Sequence, residues 1–297
     1  MRQSSETVPK NKGRRRQSPW AEFFRKLRKN KTAMVGAGLI FIFFFMAIFA
    51  PFLAPHDPLE PSVAMRLAPP FSEDRILGAD DLGRDMLSRL IYGARISLLV
   101  GLSATALGAA LGVFVGLLAG YYGRWLDSLL MRICDILLTF PGILLALVIV
   151  AIRGPSTANV IIAIAFFAIP TFARVTRSST LGVKNLEYID AIKAMGASDA
   201  RVLSRHVFPN VLSPIIVQAS VYIATAIMIG AALSFLGVGT PPPDPEWGSM
   251  LAAGRGEMRR AFHLSLFPGL MIFLLVVGVN LFGEGVRDAL EPKNERR

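Results

Sequence analysis

Long apolar blocks separated by short polar segments set the pattern of this chain. Six blocks stand out, at about 33–53, 96–120, 131–152, 158–173, 211–236 and 264–286. Most are long enough to cross roughly 30 Å of hydrocarbon at about 1.5 Å of helix rise per residue. They predict an all-α integral membrane protein with six transmembrane helices. The fourth block ends near Ile169-Pro170 and is short, so its ends need protection by neighbouring helices or a locally thinned bilayer.

The blocks carry internal patterns of their own. In the second, Ala104, Gly108, Gly112, Gly116 and Gly120 recur every fourth residue, which makes a smooth stripe where another backbone can approach closely. Pro141 and Pro170 remove backbone donors and can kink or end the third and fourth helices. In the fifth, Gln218, Tyr222 and Thr225 fall at i, i+4 and i+7. Such a polar stripe faces either a water-filled path or a hydrogen-bonding helix. No charged residue occupies the middle of any block; Asp135 and Glu284 lie near their ends. Ion-coupled pumping therefore has no obvious carrier.

Between the fourth and fifth blocks lies a polar island, Tyr188-Ile-Asp-Ala-Ile-Lys-Ala-Met-Gly196. Tyr188, Ala191, Ile192 and Met195 sit at i, i+3, i+4 and i+7, with Asp190 and Lys193 off that face, the spacing of a short amphipathic helix. Gly196 can end it in a left-handed conformation. Ser198 or Asp199 can cap a second helix through Val202, Leu203 and His206, which meets Pro209 and the membrane. An apolar face on such a loop calls for a partner groove, the lipid headgroups or the protein's own bundle.

Composition agrees with the membrane reading: 53% of the 297 residues are hydrophobic and 18% charged. Lys and Arg favour the cytoplasmic side in short loops. With the N-terminus inside, 23 of the 32 Lys and Arg fall in cytoplasmic segments, which places both termini and the island in the cytoplasm. The net charge of +11 sits mainly in one tail, Lys10 to Arg16 and Arg25 to Lys31, so the expected counter-charge is membrane lipid and not nucleic acid. Trp20, Phe23, Phe24 and Leu27 among those cations predict an interfacial helix. The basic run and first apolar block are too long for a signal peptide, so the first span is expected to stay uncleaved. Cys134 is the lone cysteine and is expected to be packing filler, with neither disulfide nor redox chemistry. The chain divides into a basic tail (1–31), a first span with an external segment (32–94), a core of five spans (95–288) and a C-terminal tail (289–297).

Two enzymatic readings fail on residues. Gly196-Ala-Ser-Asp199 superficially matches the serine motif of rhomboid proteases, but the serine falls in a loop. None of His56, His206 and His263 lies within a predicted span. No Gly-x4-Gly-Lys-Ser/Thr phosphate loop occurs, so the chain is not expected to hydrolyse ATP itself. A passive channel or ion-coupled carrier stays open as an alternative.

The island resembles the cytoplasmic loop of ABC importer permeases, whose pattern is Glu-Ala-Ala, three residues, Gly, nine residues, then Ile-x-Leu-Pro. The matching positions are Asp190-Ala191-Ile192, Gly196 and His206-Val207-Phe208-Pro209. The acid is shortened, the second alanine is isoleucine, and His and Phe replace Ile and Leu. The resemblance makes Tyr188, Asp190, Ala191, Ile192, Ala194, Met195, Gly196 and Ala197 the coupling segment that seats on a separate ATPase subunit. The wider chain is similar to the C-type permease subunits of dipeptide and oligopeptide importers. The similarity is carried by Leu77 to Asp85, Ser88 to Arg95, Gly120-Tyr-Tyr-Gly123, Met131 to Asp135, Pro209-Asn210, Leu233 to Gly239, Pro242 to Gly248 and Gly285 to Pro292. Glutathione and nickel importers share this permease type, and 131–152 looks like the glutathione version. The resemblance implies a type I importer fold in a bacterial inner membrane. The implied partners are a homologous B-type permease, two cytoplasmic ATPase subunits that use ATP and Mg, and an external substrate-binding protein. No cofactor is implied in this chain. Gln218, Tyr222 and Thr225 are its expected path-lining residues. Thr240 to Ser249 would meet the binding protein or cover the channel mouth, though Trp247 and the prolines suit a stiff interfacial loop equally.

Overall fold

A computed structural model describes residues 19–290; the run Lys10 to Arg16 and the chain beyond Leu290 lie outside the described residues. Helix α1 (Pro19–Lys29) leads into α2 (Lys31–Ile48) and the short α3 (Ala50–Leu53). A turn-rich strap, 54–85, precedes α4 (Met86–Tyr122), α5 (Arg124–Thr139), α6 (Gly142–Arg153) and α7 (Thr157–Lys184). Then come α8 (Glu187–Ala194), α9 (Asp199–Val202), α10 (Phe208–Phe235), α11 (Trp247–Gly254) and α12 (His263–Leu290). Among the described residues the fold is helical apart from two isolated bridges in the strap.

Among the described residues, five continuous helical segments are long and apolar enough to cross a membrane, and there are six if the bent pair α5–α6 counts as one span. The block at 131–152 is therefore not one straight span: it breaks at Phe140-Pro141 with a 90° bend. Pro141 has no N–H to donate and biases the residue before it away from helix. The fourth block corrects in the opposite direction. Instead of stopping near Pro170, α7 runs on to Lys184. Pro170 costs the bond to the Phe166 carbonyl, yet the helix persists because α4 grips it on both sides of the proline. The continuation looks like a loop in sequence because it carries Arg174 and Arg177. Both find partners on α5: Arg177 binds Asp127 at 2.5 and 2.6 Å, and Arg174 binds Asp135 at 2.7 Å.

The stripe along α4 is what joins it to α7. A Cβ added at Gly112 would lie 2.6 Å from both the Ile169 carbonyl oxygen and the Phe172 Cβ, and one at Gly120 would lie 2.8 Å from the Thr180 Cβ. With no Cβ in the way, the two backbones meet along four turns and dispersion contacts accumulate without a lipid layer between. Ala33, Gly36, Gly278 and Gly285 allow a similar approach of α2 to α12. The α2 face turned away carries exposed Phe41, Phe44 and Phe45, the composition expected against acyl chains.

At the strap end, buried polar groups fix the start of α4. Asp85 is fully buried and caps the helix: its Oδ2 accepts from the Ser88 N–H at 2.8 Å and the Ser88 hydroxyl at 2.6 Å. Arg75 Nη1 and His56 Nδ1 each stand 3.8 Å from the same carboxylate. Asp80 accepts from Arg84 at 2.7 Å and faces Arg89 at 3.3 Å, while Arg89 donates to the Pro58 carbonyl. The acidic turn is thus a helix-start structure. Asp85→Ala is expected to destabilise the solubilised protein by about 1–2 kcal/mol through the lost cap. Asp85→Asn, which keeps an acceptor, should lose less. Thermal denaturation in detergent distinguishes the two.

Trp247 is not an interfacial loop residue. It is fully buried at the start of α11, donates to the Leu90 carbonyl at 2.9 Å and meets Phe43 edge to face at 5.5 Å. Glu246 caps α11 through both carboxylate oxygens, on the Gly248 and Ser249 N–H groups. Burial pushes its carboxyl above the usual carboxylate range, against those two bonds, which favour the charged form.

Candidate coupling and transport site

Helix α8 stands between α7 and α9 at the end of the bundle opposite the strap. Its last turn closes as a Schellman motif. The Gly196 N–H bonds to the Lys193 carbonyl at 2.9 Å, and the Ala197 N–H reaches the Ile192 carbonyl at 3.3 Å. This requires the residue after the cap to be left-handed, and Gly196 has φ +86°. The glycine stop read from the sequence is present. Its surroundings are open, so backbone conformation rather than crowding demands glycine there.

The apolar arc of α8 is wider than the sequence spacing indicates, and the structure divides it. Ile189, absent from the expected face, is fully buried, with Ile192 and Ala197 half-buried beside it. They pack with Tyr121, Val202, Val207 and Val211 in one cluster. Tyr188, Ala191 and Met195 turn outward instead; Met195 is 79% exposed, and Leu186 adds to the ridge. Asp190 and Ala194 are exposed on the flank. The signal for Ile189 was the second apolar strip, Ile189 and Ile192 at i and i+3, which a search for a single face passes over. Tyr188 also accepts from the Asn210 amide at 3.2 Å, with its ring 6.4 Å from that of His206.

Beyond Gly196 the chain does not form a separate second helix. Ser198 occupies the cap position of α9 without a side-chain hydrogen bond, and Asp199 is bonded elsewhere, to Tyr121. From Leu203 to Val207 the backbone opens into a π-turn, with the Phe208 N–H on the Leu203 carbonyl, and continues directly into α10. The widened turn accommodates Pro209, whose ring would clash with the carbonyl four residues back in a regular helix. The α8–α9 hairpin is thereby continuous with one rod that runs into the bundle.

The polar stripe on α10 is not held together. Gln218 lines an open cleft of about 510 Å³ at the α8 end, with Ser213, Val217, Val221 and Arg287 among its walls. Tyr222 is buried and packs edge to face on Phe172 of α7 at 5.5 Å. Thr225 is exposed. Cys134 is buried, and no cluster of His, Cys, Asp and Glu suited to a metal occurs among the described residues.

A bundle of membrane-length helices, with a short amphipathic helix presented at one end by a helix rod, defines the transmembrane subunit of a transporter. Residues 112–296 match the family of binding-protein-dependent transport system inner membrane components, and residues 18–70 match the N-terminal transmembrane domain of oligopeptide transport permease C. The chain belongs to this permease family. It is 49% identical over 276 residues to the dipeptide transport system permease protein DppC of Alkalihalophilus pseudofirmus, covering 93% of this chain and 90% of the relative. It is 44% identical over 287 residues to the glutathione transport system permease protein GsiD of Pectobacterium atrosepticum, covering 97% and 95%. The fold is similar to the inward-facing MetNI methionine ABC transporter, with TM-score 0.58, 20% identity and coverage of 70% of this chain and 98% of that one. The architecture is the type I ABC importer permease fold.

Proposed function

We propose that this chain is one half of the membrane pathway of an importer that carries peptides, dipeptide, oligopeptide or glutathione, into the cytoplasm. The observation that carries the reading is the outward apolar ridge of α8, Tyr188, Ala191 and Met195, set on an inner anchor and joined to α10 without a break. A helix presented this way suits a groove on a separate ATPase subunit. The sequence holds no phosphate loop, so ATP and Mg are used by that partner. The Lys and Arg distribution supports a cytoplasmic side for the α8 end and both termini, and the likeness to importer permeases supports a bacterial inner membrane. The strap and the α10–α11 segment then face outside, where a loaded substrate-binding protein docks. A homologous B-type permease completes the pathway.

In this mechanism ATP binding closes the ATPase pair, α8 moves with it, and α10 tilts to open the cavity outward. Hydrolysis restores the inward state. Gln218 and Thr225 line the path, whereas Tyr222 acts by holding α10 against α7. The test is co-purification of the tagged chain, followed by ATPase and uptake assays in vesicles with dipeptide, oligopeptide or glutathione on the binding protein. An ATPase that co-purifies and is stimulated by one loaded ligand is the expected result. A chain that purifies alone and moves solute without ATP is a channel or carrier instead.

A further inference from the structure

Tyr121 is the second-last residue of α4. Its ring is 4% exposed and lies in the cluster formed by Ile189, Val202, Val207 and Val211. The Lys193 ammonium of α8 sits 4.9 Å from the ring centroid, and the Lys184 ammonium, from the last turn of α7, sits at 5.8 Å. Lys184 also donates to the Tyr121 backbone carbonyl. The Tyr121 hydroxyl donates to Asp199 Oδ1 of α9 at 2.6 Å. One side chain therefore touches the end of α7, the inner face of α8 and the start of α9, from a position on α4.

The mechanical setting makes this juxtaposition specific. Helices α4 and α7 are in close backbone contact along the glycine stripe. Helix α8, by contrast, is a two-turn element whose own backbone bonds end at Gly196. A push on its outer ridge could tilt it alone, or could move the bundle with it. A partly buried hydroxyl–carboxylate bond and two cation–π contacts on one ring resist the first outcome. From this geometry we infer that Tyr121 is a positioning residue that clamps the α8–α9 hairpin to the α4–α7 pair, so that displacement of α8 is delivered to the transport core. The inference rests on the importer reading, and it adds a residue outside the coupling segment. The charged groups around the clamp divide the work: Asp199 fixes the hydroxyl, Lys193 and Lys184 cover the ring, and the outward Glu187 and Asp190 are left to the partner surface.

The test uses the full complex in vesicles with loaded binding protein, and reads substrate carried per ATP hydrolysed alongside thermal stability. Tyr121→Phe removes only the hydroxyl. It is expected to keep ATPase activity within twofold of wild type while substrate per ATP falls about threefold to fivefold. Tyr121→Leu removes the ring contacts as well and should lower the ratio tenfold or more. Asp199→Asn keeps an acceptor for the hydroxyl and should stay within twofold. An unchanged ratio in Tyr121→Phe and Tyr121→Leu overturns the clamp. So does a parallel loss of ATPase, transport and thermal stability, which would mark Tyr121 as packing alone. Absence of ATP-dependent uptake by the wild-type complex would instead remove the importer reading, and the clamp with it.

Discussion

Gly112→Val is expected to disable the protein more than any other single change considered. A Cβ at that position already falls 2.6 Å from backbone and side-chain atoms of α7, and the branched methyls have nowhere to go. Overpacking a core costs about 1–3 kcal/mol where flexible side chains can yield. Here the Ile169 carbonyl is part of a helix, so the helices must separate and the contacts above and below Gly112 weaken together. Uptake by the assembled complex should fall below about a tenth of wild type, and the denaturation temperature in detergent should drop by about 10 °C. Gly182→Ala is the matching control: an added Cβ there meets nothing within 4 Å, so both readouts should stay near wild type. A tolerated Gly112→Val would mean that α4 and α7 do not depend on this close approach.

Ala191→Trp carries the second large expectation, and its effect should be functional alone. Ala191 is exposed on the outer ridge between Tyr188 and Met195. Membrane insertion and thermal stability should be unchanged. A bulky ring on the ridge would hold the ATPase groove open and misplace the helix within it. Transport should then fall at least tenfold, with ATPase stimulation by the loaded binding protein lost as well. If α8 merely rests on lipid headgroups, a tryptophan at Ala191 would leave uptake unaltered, since that ring is at home in the interface.

Much of this arrangement is legible in the residues, for identifiable reasons. A stripe with period four and a glycine that must be left-handed are both local signals, so a close-packing face on α4 and the end of α8 could be read directly, while α7 as the partner of that face could not. Pro141 and Pro170 carry the same local signal, a missing N–H, yet only Pro141 stands at a break. Harder to see was anything decided by a distant partner. Arg174 and Arg177 look like loop residues until Asp135 and Asp127 of α5 neutralise them and α7 continues. Ile189 looks like one more residue of an amphipathic helix until Tyr121 supplies an inner surface. Trp247 suits a membrane interface until Leu90 accepts its N–H and Gly93 makes room for its ring. The expected polar stripe failed as a unit because helical spacing places Gln218, Tyr222 and Thr225 on one side of α10 without stating that α7 covers only the middle one.

Site-specific cross-linking from α8 in the assembled complex decides whether this helix seats on an ATPase subunit. Met195→Cys places an exposed thiol on the ridge, and the native Cys134 is buried, so a short thiol cross-linker should report the new position. A product joining this chain to a cytoplasmic ATPase subunit is expected, with a yield that changes when ATP is added. A thiol that reacts only with lipid-phase probes or with its own chain, beside uptake that needs no ATP, would contradict that seating.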